Sequence, residues 1–185
     1  MRIVFWVSAL LMVILISVPS QARQSVPFPG GGSISYSNRD GKTLFEICNR
    51  RGQHYVLNVD RDSTVASEVE PSDLMVVGTI KSSVIILVDT YPSVPGGMSY
   101  CQAGEERFLR VISMSKKTAI ETLRIKAESC RNNIELASPG IEWFPKSSIL
   151  RVHWLQGPSL KQKPEELKIW IGADGKTRKK TTENR

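Results

Sequence analysis

Two histidines, three cysteines and two sets of neighbouring carboxylates are the residues of this 185-residue chain with which chemistry could be done. A serine or cysteine nucleophile needs a histidine base and a carboxylate to orient it. His54 and His153 each sit in a run where they alternate with apolar residues, and no Gly-x-Ser-x-Gly elbow is present, so both read as solvent-facing strand residues. The carboxylates are Glu105-Glu106 and the Asp60-Arg61-Asp62 string. Glycoside hydrolysis needs two carboxyls about 5–10 Å apart across a sugar-sized cleft, which adjacency in one loop does not supply. Asp60 and Asp62 also lack the glycine and distal glutamate of an EF-hand calcium loop. All four read as solvated loop charges. Without Cys-x-x-Cys or His-x-x-x-His spacing there is no zinc signal. The expectation is a protein with no catalytic residue, no metal and no cofactor.

The cysteines depend on the compartment, and the N-terminus addresses that. Arg2 is followed by an almost unbroken apolar run from Ile3 to Val18, then Pro19 and the small-residue exit Ser20-Gln21-Ala22. This is the pattern of a cleaved signal peptide over residues 1–22. Sixteen helical residues reach only about 24 Å, short of a membrane core. The expected location is the periplasm. There an oxidising environment favours one disulfide and leaves one thiol over. Of the three possible pairings we take Cys101–Cys130, which closes a loop worth ~3–4 kcal/mol on the chain-entropy model. Cys48 ends the apolar run Leu44-Phe45-Glu46-Ile47 and reads as a buried small residue.

The rest of the chain reads as short β-branched and aromatic runs separated by turn residues. Residues 23–33, with Pro27, Pro29 and the Gly30-Gly31-Gly32 triplet, read as a linker. Residues 34–175 form a single β-rich domain, either an antiparallel sandwich or a barrel-like sheet. Val84-Ile85-Ile86-Leu87-Val88 has no polar alternation and reads as a central strand buried on both faces. Residues 118–134 fit two templates. Ile120, Leu123, Ala127, Cys130 and Ile134 share a helical face, whereas Leu123, Ile125 and Ala127 alternate with polar residues as in a strand. The strand is preferred because its neighbours are strands, with one helix at 118–134 as the alternative. Residues 176–185 carry a net charge of +4 out of +7 for the chain and read as a basic flexible tail. Such a tail offers a peripheral contact to an anionic envelope surface. Nucleic acid is not an expected partner.

Tyr91 to Glu106 is the longest irregular segment of the body, and long loops in compact domains tend to carry function. Tyr91, Met98 and Tyr100, with Glu105 and Glu106, are the candidate contact residues, since pinned aromatic rings lose little entropy on binding. Trp143 and Phe144 are a second patch, read as covering the end of a sheet.

Within this region, Cys101-Gln102-Ala103-Gly104-Glu105-Glu106, then an apolar strand, then Glu128-Ser129-Cys130 and Ile134-Glu135-Leu136 resemble a pattern in small exported β-rich proteins of Gram-negative bacteria. That group is mostly without assigned activity. The resemblance implies no catalytic residue. It supports the Cys101–Cys130 pairing and the strand reading of 118–134.

These observations point to a periplasmic, non-catalytic binding protein. Its most concrete form is an inhibitor or immunity protein whose partner is a toxin or lytic enzyme of the envelope. The alternatives are a peptidoglycan hydrolase using Glu105 or Glu106 with a distant acid, and a structural envelope protein.

Overall fold

The computed structural model describes residues 25–39, 42–59, 62–65, 69–94, 104–159 and 164–183. Within them the chain is all β, built as three four-stranded antiparallel sheets. The first sheet runs β1 (Ser25–Phe28), β2 (Gly32–Arg39), β3 (Lys42–Cys48), β4 (His54–Val59). The central sheet runs β5 (Asp73–Ile80), β6 (Val84–Pro92), β7 (Glu105–Met114), β8 (Ala119–Ser129). The third runs β9 (Glu135–Phe144), β10 (Ile149–Gln156), β11 (Glu165–Ile171), β12 (Thr177–Glu183). Each sheet is a meander in which strands consecutive in the chain pair side by side.

The three sheets stack through two cores. Val84, Ile86 and Val88 of β6 join Leu109, Val111, Leu123 and Ala127 against Leu150, Val152, Trp154 and Ile169 of the third sheet. Ile85 and Leu87 of the same strand join Ile112 and Met114 against Ile34, Phe45, Ile47 and Tyr55 of the first sheet. Side chains alternate between faces along a strand, so a strand covered on both sides must be apolar at every position. This is why Val84–Val88 has no polar break. Burying each such aliphatic side chain contributes roughly 1.5–3 kcal/mol. A buried hydrogen bond from the Trp154 indole Nε1 to the Ala127 carbonyl, 2.7 Å long, ties the third sheet to the central one.

Residues 119–129 are strand β8, not a helix. Leu123 and Ala127 are buried toward the third sheet while Arg124 faces out. A bridge between Ser129 and Ile134 then turns the chain into β9. Two boundary expectations are corrected. The segment read as a linker contains β1, which pairs with β2 from Ser25↔Ser35 to Phe28↔Gly32. The segment read as a flexible tail contains β12, paired with β11 from Ile171↔Thr177 to Glu165↔Glu183. Arg178, Lys179 and Lys180 therefore lie on an edge strand, where lysines discourage pairing with another chain.

Because each sheet is a meander, its alternate hairpin turns emerge at one end, and contacts place all six such turns at the same pole. Thr79 donates to the Pro29 carbonyl, joining the β1–β2 turn to β5. The Met114 amide bonds the Ser83 carbonyl, joining β7–β8 to β5–β6. Ser83 and Ser113 donate to the Ala173 and Asp174 carbonyls of the β11–β12 turn. The Ile171 amide bonds the Ser148 carbonyl of the β9–β10 turn. The β3–β4 turn joins them by sharing a groove with β5–β6 and β7–β8.

Candidate functional site

The six turns differ sharply in charge from the body. Arg50 and Arg51 stand on β3–β4, Lys81 on β5–β6, Lys116 and Lys117 on β7–β8, Lys146 on β9–β10 and Lys176 on β11–β12, all exposed. The one carboxylate on these turns is Asp174, 3.4 Å from Lys176 Nζ. A hydrogen bond from the Lys176 backbone amide, aided by that ammonium, holds the Asp174 carboxyl below its ordinary value.

Between the turns of the first and central sheets lies a groove of about 640 Å³. Arg50, Arg51, Lys81 and Lys116 stand around it, and the largely buried Tyr55 and Met114 form its floor. None of the four cations is ion-paired with a carboxylate among the described residues.

Local chemistry fixes each wall. Asn49 Oδ1 accepts from the amides of Arg51 (2.9 Å) and Gln53 (3.1 Å), and its Nδ2 donates to Gln53 Oε1 (2.9 Å). This side-chain-to-backbone pattern is the turn chemistry for which asparagine is favoured. The β5–β6 turn has positive φ at both Lys81 (49°) and Ser82 (55°). Such turns favour Asn-Gly, and non-glycine residues there are strained. Ser115 and Thr118 lock β7–β8 through a 2.9 Å hydroxyl pair and a 2.8 Å amide bond. The glycines read as linker are packing residues. A Cβ on Gly30 (φ 103°) would fall 2.5 Å from Ser82 Oγ, and one on Gly31 would crowd the Arg50 stem at 3.3 Å.

Toward the other end, the central sheet buries a charged cluster under the first sheet. Arg110 Nε bonds both oxygens of Asp89, at 2.7 and 2.9 Å, and its Nη1 bonds Glu121 Oε1 at 2.7 Å. Its guanidinium stands 5.2 Å from the Phe108 ring centroid and 6.0 Å from that of Phe45. Burial alone would lower the Arg110 pKa, but Asp89, Glu121 and Tyr91 raise it above the ordinary value. Next to it, Lys126 Nζ reaches Asp62 Oδ2 at 2.8 Å, Thr64 Oγ1 at 2.8 Å and Glu106 Oε2 at 3.7 Å.

The candidate residues read from the sequence do not converge. Tyr91 is fully buried in β6, edge-to-face with Phe108, because the strand continues past the point where the loop was expected to begin. Glu106 is fully buried in β7 and accepts from Ser93 Oγ (2.7 Å) and the Arg131 amide (3.2 Å). Neither side chain is open to solvent, so Glu106 is not a solvated loop charge. Glu105 is exposed and pairs with Arg107 at 3.0 Å. Met98, Tyr100 and Cys101 lie outside the described residues, as does Asp60. Asp62, read as a solvated charge, is paired with Lys126. Cys130 is disulfide-bonded and Cys48 is a free thiol, 3.7 Å from His54 Nε2 on the outer face of the first sheet. His153 faces outward between Glu142 (3.0 Å) and Glu166 (3.8 Å). Trp143 packs over Gly78, while Phe144 stays partly exposed beneath Arg151. No group of three potential metal ligands occurs among the described residues.

The cations of the basic pole stand on separate turns far apart in the sequence, so no single stretch displays them as a set. The available signal was that successive hairpin breaks at alternate positions carry Arg or Lys. Comparison of the chain with protein-family models, with curated proteins and with solved structures finds no match in any of the three.

Proposed function

We propose that the chain is a non-catalytic binding protein of the periplasm, most concretely an inhibitor or immunity protein that holds a toxin or lytic enzyme of the envelope. The observation that carries this reading is the basic pole, where seven exposed cations face one carboxylate on six turns. A single-sign surface of this kind speeds encounter with an oppositely charged partner, and turns fixed by their own hydrogen bonds lose little entropy when they dock. The reading includes export by residues 1–22 and pairing of Cys101 with the bonded Cys130.

The hydrolase alternative is weaker on geometry. Glu106 is fully buried and shares the Lys126 ammonium with Asp62, which leaves it poorly placed to meet a sugar. Envelope attachment by a free basic tail is weakened by the pairing of β12 with β11.

The test is inhibition. Purified protein is added to peptidoglycan-lytic activity from the envelope and secreted fractions, beside a variant carrying Arg50→Glu, Lys81→Glu and Lys116→Glu. Inhibition by wild type and its loss in the variant are expected. Peptidoglycan clearing by the protein itself, abolished by Glu106→Gln, would reverse the assignment.

A further inference from the structure

We propose that the groove among the β1–β2, β3–β4, β5–β6 and β7–β8 turns receives an acidic peptide segment inserted by the partner protein. This rests on reading the basic pole as the working surface and names what enters it. Three observations select a peptide.

The first is shape. The four cations surround a recess of about 640 Å³. A volume of that order houses a ligand-sized group or a few residues of chain. A flat surface such as a bilayer cannot reach a recess floor.

The second is the chemistry of the lining. Carboxylates are absent from it, whereas hydroxyls of Ser82, Ser83 and Ser115 and the Gln53 amide stand among the cations. Arg50 and Arg51 offer planar forks that match a carboxylate with two parallel hydrogen bonds. The neutral groups suit the peptide bonds between such side chains. Tyr55 and Met114 give the floor an apolar surface on which the stem of a glutamate packs.

The third is fixation. Asn49 holds the two arginines' turn through both its oxygen and its nitrogen. Gly30 and Gly31 let the β1–β2 turn press against Ser82 and Arg50. Lys81 and Ser82 stand in a backbone conformation where glycine or asparagine is cheaper. Strain of this sort persists where surrounding structure over-determines it, and it recurs at ligand clamps.

The probe is a hexaglutamate peptide, acetylated and amidated, titrated calorimetrically into the full protein at low and moderate salt. One peptide per protein is expected, with affinity falling as salt rises. The variant Arg50→Gln, Arg51→Gln, Lys81→Gln, Lys116→Gln should weaken binding about tenfold or more. Lys168→Gln, Arg178→Gln, Lys179→Gln, Lys180→Gln removes the same formal charge from the third sheet and should change it less than about threefold. Asn49→Ala keeps every cation and should still weaken binding about threefold through loss of the fixed turn. The first two variants alter half-buried or exposed side chains, and unchanged melting temperatures confirm their folds.

Equal losses in the two charge variants would overturn the proposal, since net charge alone would then explain binding. Displacement of the peptide by equimolar inorganic phosphate would reassign the groove to small anions. Displacement by vesicles of one part phosphatidylglycerol to three parts phosphatidylcholine would reassign it to a lipid surface. A protein that inhibits its enzyme yet ignores the peptide refutes the insertion alone. One that binds the peptide and inhibits nothing refutes the inhibitor reading instead.

Discussion

Arg110 and Asp89 form a two-pronged ion pair, 2.7 and 2.9 Å from one Nε to both carboxylate oxygens, with both side chains fully buried between the first and central sheets. Removing Asp89 leaves the fully buried Arg110 guanidinium half compensated, by Glu121, while replacing all three charges leaves a site that apolar groups can fill. Asp89→Asn is expected to cost about 3–5 kcal/mol in urea unfolding, and Asp89→Leu with Arg110→Met and Glu121→Gln to recover most of that. A triple variant no more stable than the single one would show that the cluster is worth more than its desolvation.

Gly78 sits where the β5–β6 register shifts, and a Cβ there would meet the Trp143 ring at 2.4 Å. Gly78→Ala is expected to destabilise by about 1–3 kcal/mol, because the indole must move within a packed core. Trp143→Phe in the same chain should return part of the loss. A thermal melt of the single variant that matches wild type would show that the ring yields freely.

The Asp62 carboxyl lies below its ordinary value. Burial alone would raise it, but the hydrogen bond from Lys126, the Thr64 amide at 3.1 Å and the Lys126 charge outweigh that. A carboxyl depressed in the folded state stabilises fully above its unfolded value near about pH 4, and the contribution is lost as pH falls through the folded value. Melting temperature followed from pH 6 to pH 2 should therefore fall less steeply in Asp62→Asn than in wild type. Parallel curves would exclude this pair as a source of acid sensitivity.

Thiol counting tests the proposed pairing of Cys101 with Cys130. The unfolded, unreduced chain should take one alkyl group, on Cys48, and the reduced chain three. Mass spectrometry that finds three adducts without reductant would remove the cross-link and the argument for an oxidising compartment.

Features governed by local periodicity were legible in the sequence. Val84–Val88 reads as doubly buried because a strand between two sheets has no wet side, and it lies between two sheets. The alternation of Leu123, Ile125 and Ala127 reads as strand, and it pairs with β7. Features that depend on pairing partners were not legible. Thr177–Glu183 is polar throughout and looks like a tail, yet the β11 ladder orders it. The glycines of 30–32 look flexible, yet close contacts with Ser82, Arg50 and Phe28 demand them. Glu106 and Tyr91 flank a run of loop residues, yet both lie inside strands facing the first sheet's side of the core. Arg110 has nothing in its neighbourhood to mark it as buried, because its partners Asp89 and Glu121 come from other strands. The convergence of the cationic turns follows from chain reversal in three meanders, and no short window of residues contains it.

The double covering of the central sheet has a consequence for how the molecule comes apart. Peeling away the third sheet would bare a broad greasy plane, and peeling away the first would bare apolar side chains beside the Arg110 and Lys126 charges, in both cases with ready hydrogen-bonding edges, the kind of surface that recruits identical copies. Graded loosening is therefore closed to this fold. Amide exchange along β6 should occur only through whole-molecule opening, and any population of half-opened chains should announce itself as aggregate rather than as a soluble intermediate.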